Sequence, residues 1–181
     1  MTTSVETIPG YIAGAWTIDQ VHSDVSFSVR HLGIAKVRGR FDSFEGTIVT
    51  AENPLESSVN ATIETASVNS NNTMRDDHIR NEDFLDAAGH PKLTFASTGI
   101  RAESPVVYQV DGNLTLRGVT KPVTLELELN GFGTGFDGSP IAGFTATTEI
   151  SRGDFGITGG PAGAAVGDKI AIILEIEAKQ A

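Results

Sequence analysis

Apolar and polar residues alternate with a period of two through most of this chain, the pattern of strands with one buried face. In HSDVSFSVRH, Val25, Phe27, Val29 and His31 share one side, while Ser26, Ser28 and Arg30 share the other. The next run, Lys36 to Thr50, places Val37, Gly39 and Phe41 together and then changes phase, so that Phe44, Gly46 and Ile48 take the opposite parity. A one-residue slip without a turn signal predicts a β-bulge near Asp42–Ser43. Val59, Ala61 and Ile63 carry a further strand, and Leu93, Phe95 and Ser97 another. Tyr108, Val110, Gly112, Leu114 and Leu116 form one side of a clean alternation. After a turn at Gly118 to Pro122, Val123, Leu125, Leu127 and Leu129 form one side of the next, so the two read as a hairpin. Ala142, Phe144, Ala146, Thr148 and Ile150, and then Ile170, Ile172, Leu174 and Ile176, complete the series.

About eight long sequential strands with one apolar face each predict an all-β fold that closes on itself. A sandwich buries the same faces, but strand length favours the barrel, since ten residues span roughly 34 Å. Met1 to Gly10 is polar and reads as a loose arm, leaving residues 11–181 as a single domain.

The alternation stops at TMRDDHIRNEDFLDAAGHPKLTF, Thr73 to Phe95. Thr73 with Asp76 three residues on suits a helix N-terminus, and Met74, His78 and Leu85 can share a face. Asn81 can cap a second short helix, and Gly89 and Pro91 end it. The spacing predicts two short helices joined at Arg80–Asn81, packed across a barrel opening or along its flank.

Composition narrows the function classes. A formal net charge of −10 repels phosphate backbones and argues against a nucleic-acid partner. The absence of cysteine excludes disulfides, thiol catalysis and cysteine-ligated metals. MTTSVETIPGYIAGAW has no basic leader region, and no stretch is long and apolar enough to span a membrane, so the expected location is cytoplasmic.

Candidate chemistry is sparse. His22, His31, His78 and His90 show no metal-binding spacing, and no metal or other cofactor is expected. Asp76, Asp77, Glu82, Asp83 and Asp86 are crowded, but acidic residues in a first helical turn are ordinary, and Asp76 is spaced for a pair with Arg80. No serine sits in a nucleophile-elbow motif, and the glycine-rich GGPAGAAVG lacks a phosphate-loop context, although its small side chains suit a mobile flap. The strongest signal is the inward apolar surface. By strand parity its lumen candidates are Phe27, Val29, His31, Phe41, Phe95, Leu114, Leu116, Leu125, Leu127, Phe144, Ile172 and Leu174, with Phe84 contributed by the helical stretch. Gly39, Gly112 and Ala146 lie among them; the space above such small residues either forms a cavity or is filled by larger neighbours.

Four ordered blocks carry a family resemblance. WTIDQVHSDVSFSVRHLGIAKVRGRFDSFEGTI, RDDHIRNEDFLDAAGHPKLTF, GNLTLRGVTKPVTL and ISRGDFGIT resemble the successive motifs of the YceI-like family of lipocalin-like, polyisoprenoid-binding proteins, from about Trp16 to Glu177. The resemblance implies an extended eight-stranded antiparallel β-barrel with a short helical insertion. It also implies a long apolar lumen for an isoprenoid lipid, an isoprenoid quinone or a similar amphiphile, which the protein would bind, store or transport without catalysis. Many relatives carry a signal peptide, and none is visible here. Two other readings stand beside this one. One is an enzyme acting on such a lipid through His31 or the acidic cluster; the other is a homodimeric structural protein with a packed barrel.

Overall fold

The computed structural model describes residues 8–181. Its strands are β1 (Gly14–Ile18), β2 (Asp24–His31), β3 (Ala35–Phe41), β4 (Phe44–Thr50), β5 (Ser58–Glu64), β6 (Val68–Asn69), β7 (Lys92–Ala102), β8 (Val107–Leu116), β9 (Val119–Thr134), β10 (Pro140–Ser151) and β11 (Val166–Gln180), with one α-helix, α1 (Thr73–Arg80). All pair antiparallel in one sheet, and the pairing of β1 with β11 closes the ring.

The eleven segments make a closed eight-stranded barrel because the first three strands are each broken in two. β1 and β2 both run along β11, at its C-terminal and N-terminal parts respectively. Between them Asp19 caps a single 3-10 turn, Gln20–His22, its carboxylate accepting from the Val21 N–H at 2.9 Å. β3 and β4 are separated at Asp42–Ser43, where the phase slip predicts a bulge. There the N–H groups of both residues turn to Ser67, one to its carbonyl and one to its hydroxyl. Phe41 and Phe44 are consequently both buried, on opposite sides of the break. β5 and β6 are divided by the 3-10 turn Thr65–Ser67. The strands β7 to β11 run longer, from 10 to 16 residues.

One end of the barrel is closed. Trp16, 1% exposed, donates its indole N–H to the Thr50 hydroxyl at 2.8 Å and packs edge-on against Phe132. Tyr11 meets the same Phe132 ring at 5.3 Å, and its hydroxyl donates to the Ala51 carbonyl. Ile8 is 4% exposed. Residues 1–7 of the expected arm lie outside the described residues, and Ile8 corrects its boundary. Ile8 packs at the barrel end, while Pro9 and the left-handed Gly10 that follow it are exposed.

The other end carries the helix. Its N-cap is Asn72, not the Thr73 expected from the sequence: the Asn72 side chain accepts from the Arg75 N–H at 2.9 Å. The face turned toward the lumen is Arg75, His78 and Ile79, while Met74, expected there, is 84% exposed. Asp76 is buried rather than solvated, and it accepts from the Ser70 N–H and hydroxyl. Arg80, its expected partner, instead pairs with Asp77 at 3.0 Å and donates to the Ala66 and Val68 carbonyls. No second helix follows. Asn81 leaves helical geometry, its carbonyl collects the N–H groups of Phe84 and Asp86, and Asp86 adopts a positive φ of 46°. These bonds satisfy the backbone with turns, so the segment from Asn81 to Pro91 has no need of helical ones.

Candidate functional site: an apolar lumen with one polar mouth

Inside the barrel is a cavity of about 490 Å³, within the ~300–1,000 Å³ typical of small-molecule sites. Every lumen candidate named from strand parity lines it, and so does Phe84 from the helical end. Phe27, Phe95, Ile172 and Leu174 are only half-buried although their strands are paired on both sides. Their remaining exposure faces inward.

The glycines explain how bulky rings leave this volume open. Gly39 is the register partner of Phe27, and a Cβ on it would lie 2.4 Å from the Phe27 ring. A Cβ on Gly112 would lie 2.3 Å from the Phe95 ring. Each ring lies against the backbone of a neighbouring strand, occupying the place where a side chain would stand. Both outcomes left open by the sequence therefore hold together: the space over the glycines is filled, and because it is filled by rings lying along the wall, the centre stays clear. Phe27 and Phe41 continue this lining with centroids 5.6 Å apart.

At the closed end the lining is Ile8, Tyr11, Thr50 and Pro54, and burial pushes the Tyr11 hydroxyl pKa above its ordinary value. At the helical end the lining turns polar, with His31, Arg75, His78 and Arg152. His78 Nε2 lies 2.9 Å from the Asp83 carboxylate, and its ring meets Phe84, which also lines the cavity, edge-on at 5.0 Å. Among the described residues, no hydrogen bond joins His31 or His78 to a hydroxyl.

Arg75 and Arg152 are mouth residues that parity reasoning missed, and a whole loop is built on Arg152. The Arg152 guanidinium donates to the carbonyls of Ile157, Gly163, Val166 and Gly167 at 2.8 to 3.1 Å. These bonds fold the glycine-rich stretch, a flap by sequence expectation, into the 3-10 helix Gly160–Ala165 and hold it there. Phe155 and Ile157, 2% and 3% exposed, anchor the same stretch in the core, and the Gly159 N–H donates to the Asp83 carbonyl. The mouth is thus framed by two segments tied to each other. The signal available in the sequence was the block ISRGDFGIT; which carbonyls its arginine would gather depends on the folded loop.

Asp19, His22, Ser23 and Glu177 lie elsewhere, at the break between β1 and β2. His22 Nδ1 is 2.8 Å from Asp19 and 3.3 Å from Glu177, and the Ser23 hydroxyl exchanges hydrogen bonds with the Glu177 backbone. The hydrogen bond to Asp19 raises the His22 pKa, and the same bond lowers that of Asp19. Asp19, His22 and Glu177 present ligand atoms within 4.8 Å of one another, a gathering invisible in their sequence spacing. The Lys179 ammonium, 3.6 Å from Asp19, already supplies a cation to the cluster. The geometry is that of an ion-pair clasp holding the broken strand to β11.

Comparison with known proteins gives a consistent result. The YceI-like domain model matches residues 16–178. Protein YceI of Salmonella arizonae is 41% identical over 174 residues, covering 93% of this chain and 88% of the relative, and that of Salmonella enteritidis aligns equally. Among solved structures, Burkholderia cenocepacia BcnA superposes with a TM-score of 0.80 at 24% identity, covering 88% of this chain and 98% of that one. The Campylobacter jejuni YceI protein gives 0.75 at 32% identity, with 90% and 96% covered. A structure described as a polyisoprenoid binding domain from Saccharophagus degradans gives 0.73 at 15% identity, covering 94% of this chain and 100% of that one.

Proposed function

This chain belongs to the YceI-like family, and from that premise we propose that it binds and carries an isoprenoid lipid, an isoprenoid quinone or a similar amphiphile, its tail in the lumen and its head group at the helical mouth. The observation that carries the reading is the asymmetry of the cavity. About 490 Å³ of largely apolar space ends in Ile8, Pro54 and the uncharged hydroxyls of Tyr11, Thr50, Ser57 and Ser58 on one side and in His31, Arg75, His78 and Arg152 on the other. An apolar cavity excludes water at little cost and rewards an apolar occupant, each methylene taken out of water contributing ~0.8 kcal/mol. The Arg75 and Arg152 guanidiniums, held by hydrogen bonds to the fold, put positive charge at the mouth, which suits a polar or anionic head group and fixes its orientation more than its affinity. The name of the Saccharophagus degradans neighbour, a polyisoprenoid binding domain, points to the same ligand class. Binding without chemistry is sufficient to account for an apolar lumen of this kind.

Native mass spectrometry of protein purified from a lipid-rich host tests the reading. The expected spectrum contains a protein–lipid adduct, and delipidated protein regains an adduct on addition of a polyprenol or a ubiquinone. Protein that carries no lipid and takes up neither compound overturns it.

A further inference from the structure

The β2–β3 hairpin stands at the mouth and is built against the usual rules for such a turn. His31 pairs with Ala35 across a three-residue connection, and its first two residues, Leu32 and Gly33, have φ values of 54° and 72°. Two successive left-handed residues are the requirement of a type I′ turn, for which Asn-Gly or Asp-Gly is the favoured pair. Leucine there is strained and gains nothing from burial: Leu32 is 62% exposed, and the following Ile34 is 86% exposed. A largely exposed apolar residue held at a strained backbone position points to a contact outside the fold. The Leu32 N–H donates to the Ala165 carbonyl at 2.8 Å, so the tip is fastened to the loop that frames the mouth.

Charge identifies the partner. On the hairpin, Arg30, which also borders the cavity, is paired in register with Lys36, and Arg38 follows two residues on. Among the described residues, none of these three makes a salt bridge, whereas Arg40, farther from the tip, pairs with Asp42. In a chain of net charge −10, this unpaired cationic group around two exposed apolar side chains is a local reversal of sign. A two-residue apolar tip is far smaller than the ~1,000 Å² that a stable protein interface needs. A second copy would bring the same cations against each other. Apolar side chains flanked by cations with long stems suit the boundary between head groups and acyl chains, where the stems extend while the charges remain with the phosphates.

We infer that the β2–β3 hairpin docks the mouth of the barrel on an anionic lipid surface, with Leu32 and Ile34 entering the acyl boundary and Arg30, Lys36 and Arg38 meeting head-group phosphates. The docked pose places the lumen opening against the bilayer.

Flotation of the full chain with vesicles tests this. Vesicles of mixed phosphatidylglycerol and phosphatidylcholine are expected to carry the protein, less so as salt rises, while pure phosphatidylcholine vesicles leave most of it behind. The double change Leu32→Asn with Ile34→Asn lowers binding by at least about tenfold. Lys36→Gln and Arg38→Gln each lower it roughly fivefold. Leu32→Asn alone, matched to the left-handed turn, keeps or raises the melting temperature, whereas a leucine retained for the fold would make it fall. Equal flotation of wild type and variants, no preference for the anionic vesicles, or a wild-type dimer that Leu32→Asn dissociates in sedimentation overturns the inference. Attachment is read from protein and vesicle alone, so it stands or fails separately from the lumen's occupant.

Discussion

Gly112 and Phe84 show how single positions set the lumen. A methyl group at position 112 would meet the Phe95 ring at 2.3 Å and the Ala96 carbonyl at 2.8 Å. Gly112→Ala therefore drives the ring off the wall and into the cavity, with an expected loss of about 1–3 kcal/mol for overpacking. Thermal denaturation measures the first effect; a shift toward shorter bound chains in the mass spectrum measures the second. Phe84 is half-buried at the mouth, and Phe84→Ala is expected to cost less stability than a core truncation while changing which ligand is retained. A change in stability with an unaltered ligand profile would instead mark the ring as a plug. His22 gives a pH prediction. Its pKa is raised in the fold by Asp19, so its contribution is fully present below its ordinary value of ~6.5 and is lost as pH rises through the raised folded value. Asp19 has a lowered pKa, so its share is present above its ordinary ~3.9 and is lost as pH falls through the lowered folded value. The advantage of wild type over His22→Gln in melting temperature should be greatest in the acid range between these limits and fade toward alkaline pH. An advantage that persists undiminished there would remove His22 protonation from the account.

The strands were legible at the level of elements because a half-buried strand repeats every two residues, and the parity of Leu125, Leu127 and Phe144 needs no partner to be read. Even the break at Asp42–Ser43 announced itself, since Phe41 and Phe44 cannot both face inward along an unbroken strand. The helical stretch was less legible. Thr73 and Asn72 are both good caps, and the choice between them depends on backbone conformation before the helix. Asn72→Ala is expected to cost about 1 kcal/mol and Thr73→Ala much less, a comparison that denaturant titration can make. The second helix failed because Asn81 and Asp86 offered turn hydrogen bonds that a helical reading ignores. Arg152 acts on a whole element. With its guanidinium removed in Arg152→Gln, residues 157–166 lose several charge-assisted bonds, and hydrogen exchange there should quicken by about tenfold or more. Unchanged exchange in that stretch would show that Phe155 and Ile157 hold it unaided.

At the scale of the molecule, the barrel and its apolar interior followed from the repeat of strands, and the lumen lining followed from parity. The difference between the two ends did not. Closure by Ile8, Tyr11, Trp16 and Phe132 joins residues more than a hundred positions apart, and the mouth is assembled from the hairpin tip, α1 and the loop held by Arg152. Such gatherings are long-range contacts that no local period encodes. The clasp of Asp19, His22 and Glu177 is of the same kind, bringing the start and end of the domain together.

The side chains packed at one end of the lumen have a kinetic consequence on the proposed lipid-binding reading. A lipid seated tail-first, as proposed, would leave past the mouth by exposing its methylenes to water in succession. At ~0.8 kcal/mol for each, an escape into bulk solvent slows about fourfold per carbon. Residence time thus grows geometrically with tail length, and long cargo would stay bound for longer than any transfer could tolerate. Exchange becomes fast only when the aperture meets another apolar phase, so that the leaving tail never crosses water. On the proposed carrier reading, loading and unloading share one aperture, and the direction of transfer is set by the difference in chemical potential between the two phases it visits.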